Sequence, residues 1–311
     1  MDRPGWRVVV LSGGDSPERE VSLRSGASVA AALESAGHTA TLVDPRDCPL
    51  HRVSWSDFDA CFVALHGGAG EDGRVQQELE RLGVPYTGSG PQASRLAMSK
   101  SASKERFLAQ GVRTLPYALV DEQDDAATAL GRVADLDYPL VVKPDGGGSS
   151  IGVRIVQQAD ELPTALTAAR ACGGACLIER FVEGREFTVA MIDDRPLPLV
   201  EIVTPERLFS YEAKYHSSLT ECRFDFPLAR NRRWEIVHAA AGAAAALGTS
   251  GLARVDLMLG RDGRAWVLEV NTLPGLTVRS LAPLAAARAG LDMPALCDLL
   301  VRRCLCTVGA P

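Results

Sequence analysis

The feature that most constrains this chain is a hairpin signal in its C-terminal part. Arg254-Val255-Asp256 opens one apolar-rich run, Glu269-Val270-Asn271 closes the next, and Arg261-Asp262-Gly263-Arg264 lies between them. Asp-Gly between two such runs favours a two-residue turn, because both turn positions need positive φ. Pairing Arg261 with Arg264 puts Asp256 opposite Glu269 and Arg254 opposite Asn271. Alternation along a strand then sets all four side chains on one face. Two carboxylates directly across a strand pair repel each other, and a hard divalent cation between them relieves the repulsion. Asp, Glu and an amide oxygen are ligands that Mg²⁺ takes when it also holds substrate phosphates. The hairpin therefore offers a Mg²⁺–nucleotide site, with an arginine beside it to meet developing negative charge. On local sequence alone the same residues also fit the wet face of an antiparallel sheet.

With 311 residues the chain is long enough for two or three compact units. A net charge of -6 argues against a nucleic-acid partner, and no basic run suggests a membrane surface. No signal-like apolar segment follows Met1-Asp2-Arg3-Pro4-Gly5, and the most apolar stretch, 239–247, is far too short to span a bilayer. A cytoplasmic location is expected. The eight cysteines form no CxxC pair and no Cys/His metal spacing, so they read as packing residues. Cys222, in a polar stretch read as a loop, stands apart.

Strand and helix signals alternate over the first ~95 residues, as in an α/β unit with a mostly parallel sheet. Thr87-Gly88-Ser89-Gly90-Pro91 then marks a break. A single helix is expected over 91–110 and a helix start capped by Ser16 with Pro17 at N1. From about 181 the pattern turns mainly β with flanking helices, an α+β signature. The expected division is 1–95, 96–180 and 181–311. Residues 205–230 show no clear period and are candidates for a mobile active-site lid.

Four further segments carry chemistry. Lys143-Pro144-Asp145-Gly146-Gly147-Gly148-Ser149-Ser150 ends a strand in a glycine loop that can bring backbone N–H groups to phosphate oxygens; an ordinary hairpin loop is the alternative. His66 follows a buried-type strand, at the carboxyl end where open α/β sheets bind ligands, or is a satisfied loop histidine. Glu18 either faces that crevice and takes an ammonium group or complements a helix dipole, which local sequence slightly favours. Lys214-Tyr215 in the aperiodic stretch reads as a lid that delivers a cation and a phenol, or as a plain surface loop.

In their order along the chain these segments resemble the D-alanine–D-alanine ligases of the ATP-grasp superfamily, from about residue 7 to 305. The matching pieces are Gly-Gly-x-Ser-x-Glu-Arg-Glu-Val-Ser-Leu at 13–23, Leu-His-Gly at 65–67, Gly-Glu-Asp-Gly at 70–73 and Pro-Tyr-Thr-Gly-Ser-Gly at 85–90. They continue with Lys-Pro at 143–144, Gly-Ser-Ser at 148–150, Ile-Glu-Arg at 178–180, Glu-Phe-Thr-Val at 186–189 and Glu-Ala-Lys-Tyr at 212–215. Arg-Val-Asp at 254–256 and Glu-Val-Asn-Thr-Leu-Pro-Gly at 269–275 complete the set. The resemblance implies an ATP-grasp fold, α/β and α+β, with an N-terminal parallel α/β domain. It implies ligation of two D-alanines through an acylphosphate, for peptidoglycan precursors, in a homodimer that uses ATP with Mg²⁺ or Mn²⁺.

Carried over by position, the resemblance gives Glu18 the first substrate's ammonium, with Ser149 and Tyr215 completing a hydrogen-bonded triad, and sets His66 near the reacting centre. It assigns Lys100, Lys143 and Lys214 to ATP phosphates, Glu179, Arg180 and Val182 to the adenine side, and Glu186 to the ribose. Asp256, Glu269 and Asn271 would hold the metal. Arg254 and the Gly275 N–H would stabilise the oxyanion, and Ser280 would bind the second carboxylate. Departures from the family pattern are the Asp145-Gly146-Gly147-Gly148 loop, where relatives carry an Arg-Glu or similar pair, Arg180 in place of a common lysine, and Thr220-Glu221-Cys222-Arg223-Phe224. The same chemistry with D-lactate, D-serine or another D-amino acid as acceptor is the alternative, although Lys214-Tyr215 favours D-alanine. A non-catalytic nucleotide binder fits poorly with so full a set of charged residues.

Overall fold

The computed structural model describes residues 5–148, 151–204 and 220–307. Its described strands form three sheets, one for each successive stretch of the chain. The first is parallel, with β1 (Arg7–Leu11) between β2 (Thr39–Val43) and β3 (Ala60–Val63). The run Val8-Val9-Val10-Leu11 is apolar throughout because both faces of β1 are covered. Val8 and Val10 pack with Val29 and Leu33 of helix α1 (Arg19–Ser35), while Val9 and Leu11 pack with Val75 and Leu79 of α2 (Arg74–Arg81). Ser16 does not cap α1. Its hydroxyl accepts the Glu18 N–H in the turn before the helix and donates to the carbonyl of His66, so α1 begins at Arg19.

The expected helix over 91–110 is two helices, α3 (Pro91–Met98) and α4 (Lys100–Ala109). Ser99 breaks it with extended backbone, and its side chain accepts the Ala102 N–H as an N-cap.

The central sheet is antiparallel, in the order β4 (Tyr117–Val120), β7 (Cys176–Arg180), β5 (Leu140–Pro144), β6 (Arg154–Val156). Helices α5 (Ala126–Arg132) and α6 (Leu162–Arg170) belong to the same stretch. Leu140, Val142 and Ile178 face the core that α6 covers with Leu162 and Leu166. Alternation then turns Val141, Lys143 and Glu179 to the opposite side.

The third sheet is also antiparallel. Its path is β11 (Glu221–Arg223), β10 (Val200–Val203), β8 (Gly184–Ile192), β12 (Leu252–Gly260), β13 (Ala265–Asn271), with β9 (Arg195–Pro196) paired to β8. Cys222 therefore lies on a short edge strand, exposed, and no described cysteine forms a disulfide. The alanine-rich helix α7 (Arg230–Leu247) packs Ile236, Ala240 and Ala243 against Phe187, Val189, Val255 and Leu257. The other face of those strands carries Glu186, Thr188, Arg254, Asp256 and Met258. Helices α8 (Leu281–Arg288) and α9 (Met293–Thr307) close the chain, and α9 packs Leu300 and Val301 onto the N-terminal sheet. No described helix is long and apolar enough to cross a membrane.

The hairpin of β12 and β13 differs from expectation at its tip. Gly260 N–H donates to Arg264 O and Gly263 N–H to Gly260 O, so three residues form the loop, and only Gly263 has positive φ. The pairing there is one residue out of the expected register. A β-bulge between Asp256 and Leu257 restores it, so Asp256 does pair with Glu269 and Arg254 with Asn271.

Candidate active site

The polar faces of the central and third sheets meet across a cleft of about 330 Å³. Lys100, Lys143, Glu179, Arg180, Val182, Glu186, Asp256 and Glu269 all line it. Their convergence follows from strand alternation. Lys143 and Glu179 face away from the α6 core, Glu186 and Asp256 face away from α7, and Lys100 enters from the first turn of α4.

Electrostatics at the deep end are dominated by one buried carboxylate. Glu179 Oε1 accepts from Lys143 Nζ at 2.6 Å, and Oε2 lies 2.9 Å from Lys104 Nζ as an ion pair. Burial pushes the Glu179 carboxyl up, but Lys104 and Lys143 together pull it the other way, to about 2. Burial lowers the Lys104 ammonium from its ordinary value while Glu179 counters the effect.

On the hairpin, the Arg254 guanidinium grips Asp256 with Nε–Oδ1 at 2.9 Å and Nη2–Oδ2 at 2.8 Å. Thr188 Oγ1 donates to Asp256 Oδ1 at 2.6 Å. The fork fixes the carboxylate plane, so Arg254 orients Asp256 in addition to any role toward substrate. Glu269 faces Asp256 and lies 3.8 Å from Lys100 Nζ. Asn271 is not among the residues lining the cleft, and its Oδ1 accepts the Leu273 N–H at 2.9 Å. Among the described residues no cluster of three His, Cys, Asp or Glu forms a metal cage. Asp256 and Glu269, facing each other at the cleft, are a donor pair that suits Mg²⁺ instead, an ion that keeps waters and phosphate oxygens as its other ligands.

Lys100 Nζ donates to Gly147 O at 2.7 Å. Asp145 holds this geometry: Oδ1 accepts the Ser101 N–H at 2.7 Å, Oδ2 accepts from Ser99 Oγ at 2.9 Å, and its carbonyl accepts the Lys100 N–H at 3.0 Å. The carboxylate thus sits at the N-terminus of α4, where the helix dipole favours it.

The remaining sites predicted from sequence lie where the first sheet meets the end of β13. The Glu18 carboxylate lies between the Gly67 turn and the glycine loop; a Cβ on Gly148 would sit 3.1 Å from its Oε2. His66 is buried with both ring nitrogens engaged. Nδ1 lies 3.1 Å from Leu273 O and Nε2 lies 2.9 Å from Ser25 Oγ. A carbonyl only accepts, so Nδ1 carries the proton, and in the neutral ring Nε2 accepts the Ser25 hydroxyl. Ser25 Oγ accepts in turn from the Leu276 N–H at 3.3 Å. Gly275 lies inside this tethered segment, and a Cβ there would come within 2.9 Å of Ser280 Oγ. Ser280 accepts the Thr277 N–H at 3.1 Å at the start of α8. Ser149, Lys214 and Tyr215 lie outside the described residues.

Lys104 and Ser25 were missed in sequence, and Asp145 was placed in the glycine loop without its clamp role. Lys104 stands four positions after Lys100, a spacing that sets both on one helix face. Asp145 had the signal of preceding three glycines. Ser25 had none.

Comparisons with known proteins agree on one family. Residues 107–302 match the family described as D-ala D-ala ligase C-terminus, and residues 49–89 match D-ala D-ala ligase N-terminus. A D-alanine–D-alanine ligase of Gloeobacter violaceus is 44% identical, over 96% of this chain and 99% of that protein. One of Marinobacter nauticus is 44% identical, over 95% of this chain and 89% of that protein. The crystal structure of a Bacillus anthracis D-alanine–D-alanine ligase complexed with ATP aligns with a TM-score of 0.86 and 32% identity, covering 98% of this chain and 99% of that one.

Proposed function

We propose that this chain, which belongs to the D-alanine–D-alanine ligase family and has its ATP-grasp fold, joins two D-alanine molecules at the expense of ATP. The observation that carries the reading is the convergence of Lys100, Lys143, Glu179, Asp256 and Glu269 on one cleft. A free carboxylate is a poor acyl donor. In the proposed reaction the first D-alanine's carboxylate attacks the γ-phosphorus of ATP, ADP leaves, and an acylphosphate forms. The second D-alanine's amine, having lost a proton, attacks that carbonyl, and the tetrahedral intermediate expels phosphate.

Within this reading Lys100 and Lys143 bind phosphate oxygens, and Glu179, Arg180 and Val182 border the adenine. Glu186 reaches the ribose. Asp256, Glu269 and Asn271 hold Mg²⁺, which when bound screens phosphate charge as the γ-phosphoryl group transfers. Glu18 takes the first ammonium and Ser280 the second carboxylate. Arg254 and the Gly275 N–H stabilise the oxyanion, each well-placed donor contributing about 3–4 kcal/mol. His66 positions the 273–276 segment through Leu273. Ser149, Lys214 and Tyr215 keep the roles their matching motifs imply. The divisions 1–95, 96–180 and 181–311 each rest on one sheet, and we place the reaction in the cytoplasm, in a homodimer.

The test is nucleotide turnover. With Mg²⁺ and ATP, ADP release should require D-alanine and should not be supported by L-alanine. ADP release that ignores D-alanine, or no release, contradicts the reading.

A further inference from the structure

Lys104 is fully buried on α4, one turn beyond Lys100, and does not line the cleft. Its ammonium donates to Thr114 Oγ1 at 2.7 Å and Leu115 O at 3.4 Å and forms an ion pair with Glu179 Oε2 at 2.9 Å. Thr114 in turn donates to Val267 O at 2.8 Å, which anchors the ammonium to β13. Lysine is almost never buried this deeply unless its charge is paired.

The pairing has a consequence for the neighbour that does line the cleft. Glu179 is shared between Lys104 behind it and Lys143 at the cleft wall. Within this triad two ammonium groups and one carboxylate sum to one positive charge. If Lys104 were absent, Lys143 and Glu179 would form a neutral pair, and that pair would offer little attraction to an anion. We propose that Lys104 is a positioning residue that keeps Lys143 available to an anionic ligand: it neutralises Glu179 from behind and leaves the charge of Lys143 to phosphate. The proposal rests on the reading of the cleft as the ATP site.

The test is binding of inorganic tripolyphosphate with Mg²⁺, measured by calorimetry on the full chain, with no D-alanine and no adenine to recognise. Net charge of the cluster falls by one in Lys104→Met, rises by one in Glu179→Gln, and returns to the natural value in the double variant. Affinity should follow that order, changing roughly tenfold per unit charge. Glu179→Gln should bind more tightly than the natural chain, Lys104→Met more weakly, and the double variant should return close to the natural chain. If the whole cluster were only structural, every variant would bind more weakly. Glu179→Gln no tighter than the natural chain, or a double variant no tighter than Lys104→Met, would overturn the proposal, as would a natural chain that binds no tripolyphosphate. If Lys104→Met fails to fold, the comparison of Glu179→Gln and the double variant with the natural chain still decides. Because turnover is not read, a chain that follows the charge order yet makes no dipeptide removes the ligase reading and supports this one.

Discussion

Ser25→Ala is a severe test of how the 273–276 segment is held. Ser25 lies on α1, fully buried and not among the residues lining the cleft. Its hydroxyl donates to His66 Nε2 and accepts the Leu276 N–H. Alanine leaves both groups unpartnered in a site where His66 and Leu276 are buried. An orphaned buried polar group costs about 1–3 kcal/mol. Because the Leu276 bond is long at 3.3 Å, the combined loss should fall near 2–4 kcal/mol. In a chain of this size that lowers Tm by several degrees. The released 273–276 segment carries Gly275, and a shift of about 1 Å at a reacting centre costs on the order of a hundredfold in rate. Thermal melts and steady-state kinetics together check the expectation: kcat falls by about tenfold to a hundredfold, while the KM for ATP changes by less than about threefold. A variant with lowered Tm and unchanged kcat refutes the idea that the Ser25–His66 pair positions the segment for chemistry.

Further outcomes follow from the same geometry. Asp145→Ala removes the acceptors of Ser101 N–H and Ser99 Oγ, so stability should fall by about 0.5–2 kcal/mol and the KM for ATP should rise as Lys100 loses its seat; an unchanged KM for ATP would separate the clamp from nucleotide binding. Arg254→Ala should lower kcat by about a hundredfold or more while ATP still binds; near-normal turnover rules out the oxyanion role. Glu179 titrates below its ordinary value of 4.5, at about 2, so its ion pairs contribute stability above about pH 4.5 that is lost as pH falls toward about 2. Acid unfolding of Glu179→Gln should therefore show a shallower dependence on pH over that window than the natural chain, and equal slopes contradict the assignment.

Local rules reached much of this architecture because the relevant signals are local. The apolar run of β1, the alternation in β8 and β12, and the Asp-Gly turn each report which face a residue takes. The hairpin is instructive because Asp-Gly suggests a two-residue turn and the tip is a three-residue loop, yet the facing pairs are those expected. A bulge absorbs the extra residue, and a bulge in an apolar run leaves no mark in residue type. Ser99 splits a helix for a reason visible only afterwards, since a serine inside a helical run is unremarkable until its side chain turns back to cap. Ser25 and Lys104 were illegible for a deeper reason. Their roles depend on segments 41 and 75 positions away in the chain, and nothing in helix periodicity reports such partners. Asn271 shows the converse. Its place on the ribbon was readable, but the bond from the Leu273 N–H that aims its amide oxygen required the folded loop.

The central claim is that the cleft activates a carboxylate by phosphoryl transfer before the peptide bond forms. It is tested most directly by supplying D-alanine labelled with ¹⁸O in its carboxylate, together with ATP and Mg²⁺, and analysing the products by mass spectrometry. The account predicts D-alanyl-D-alanine and ADP in equal amounts, with one labelled oxygen carried from the first D-alanine into each phosphate released. Phosphate without label, or ADP formed without dipeptide, would contradict it.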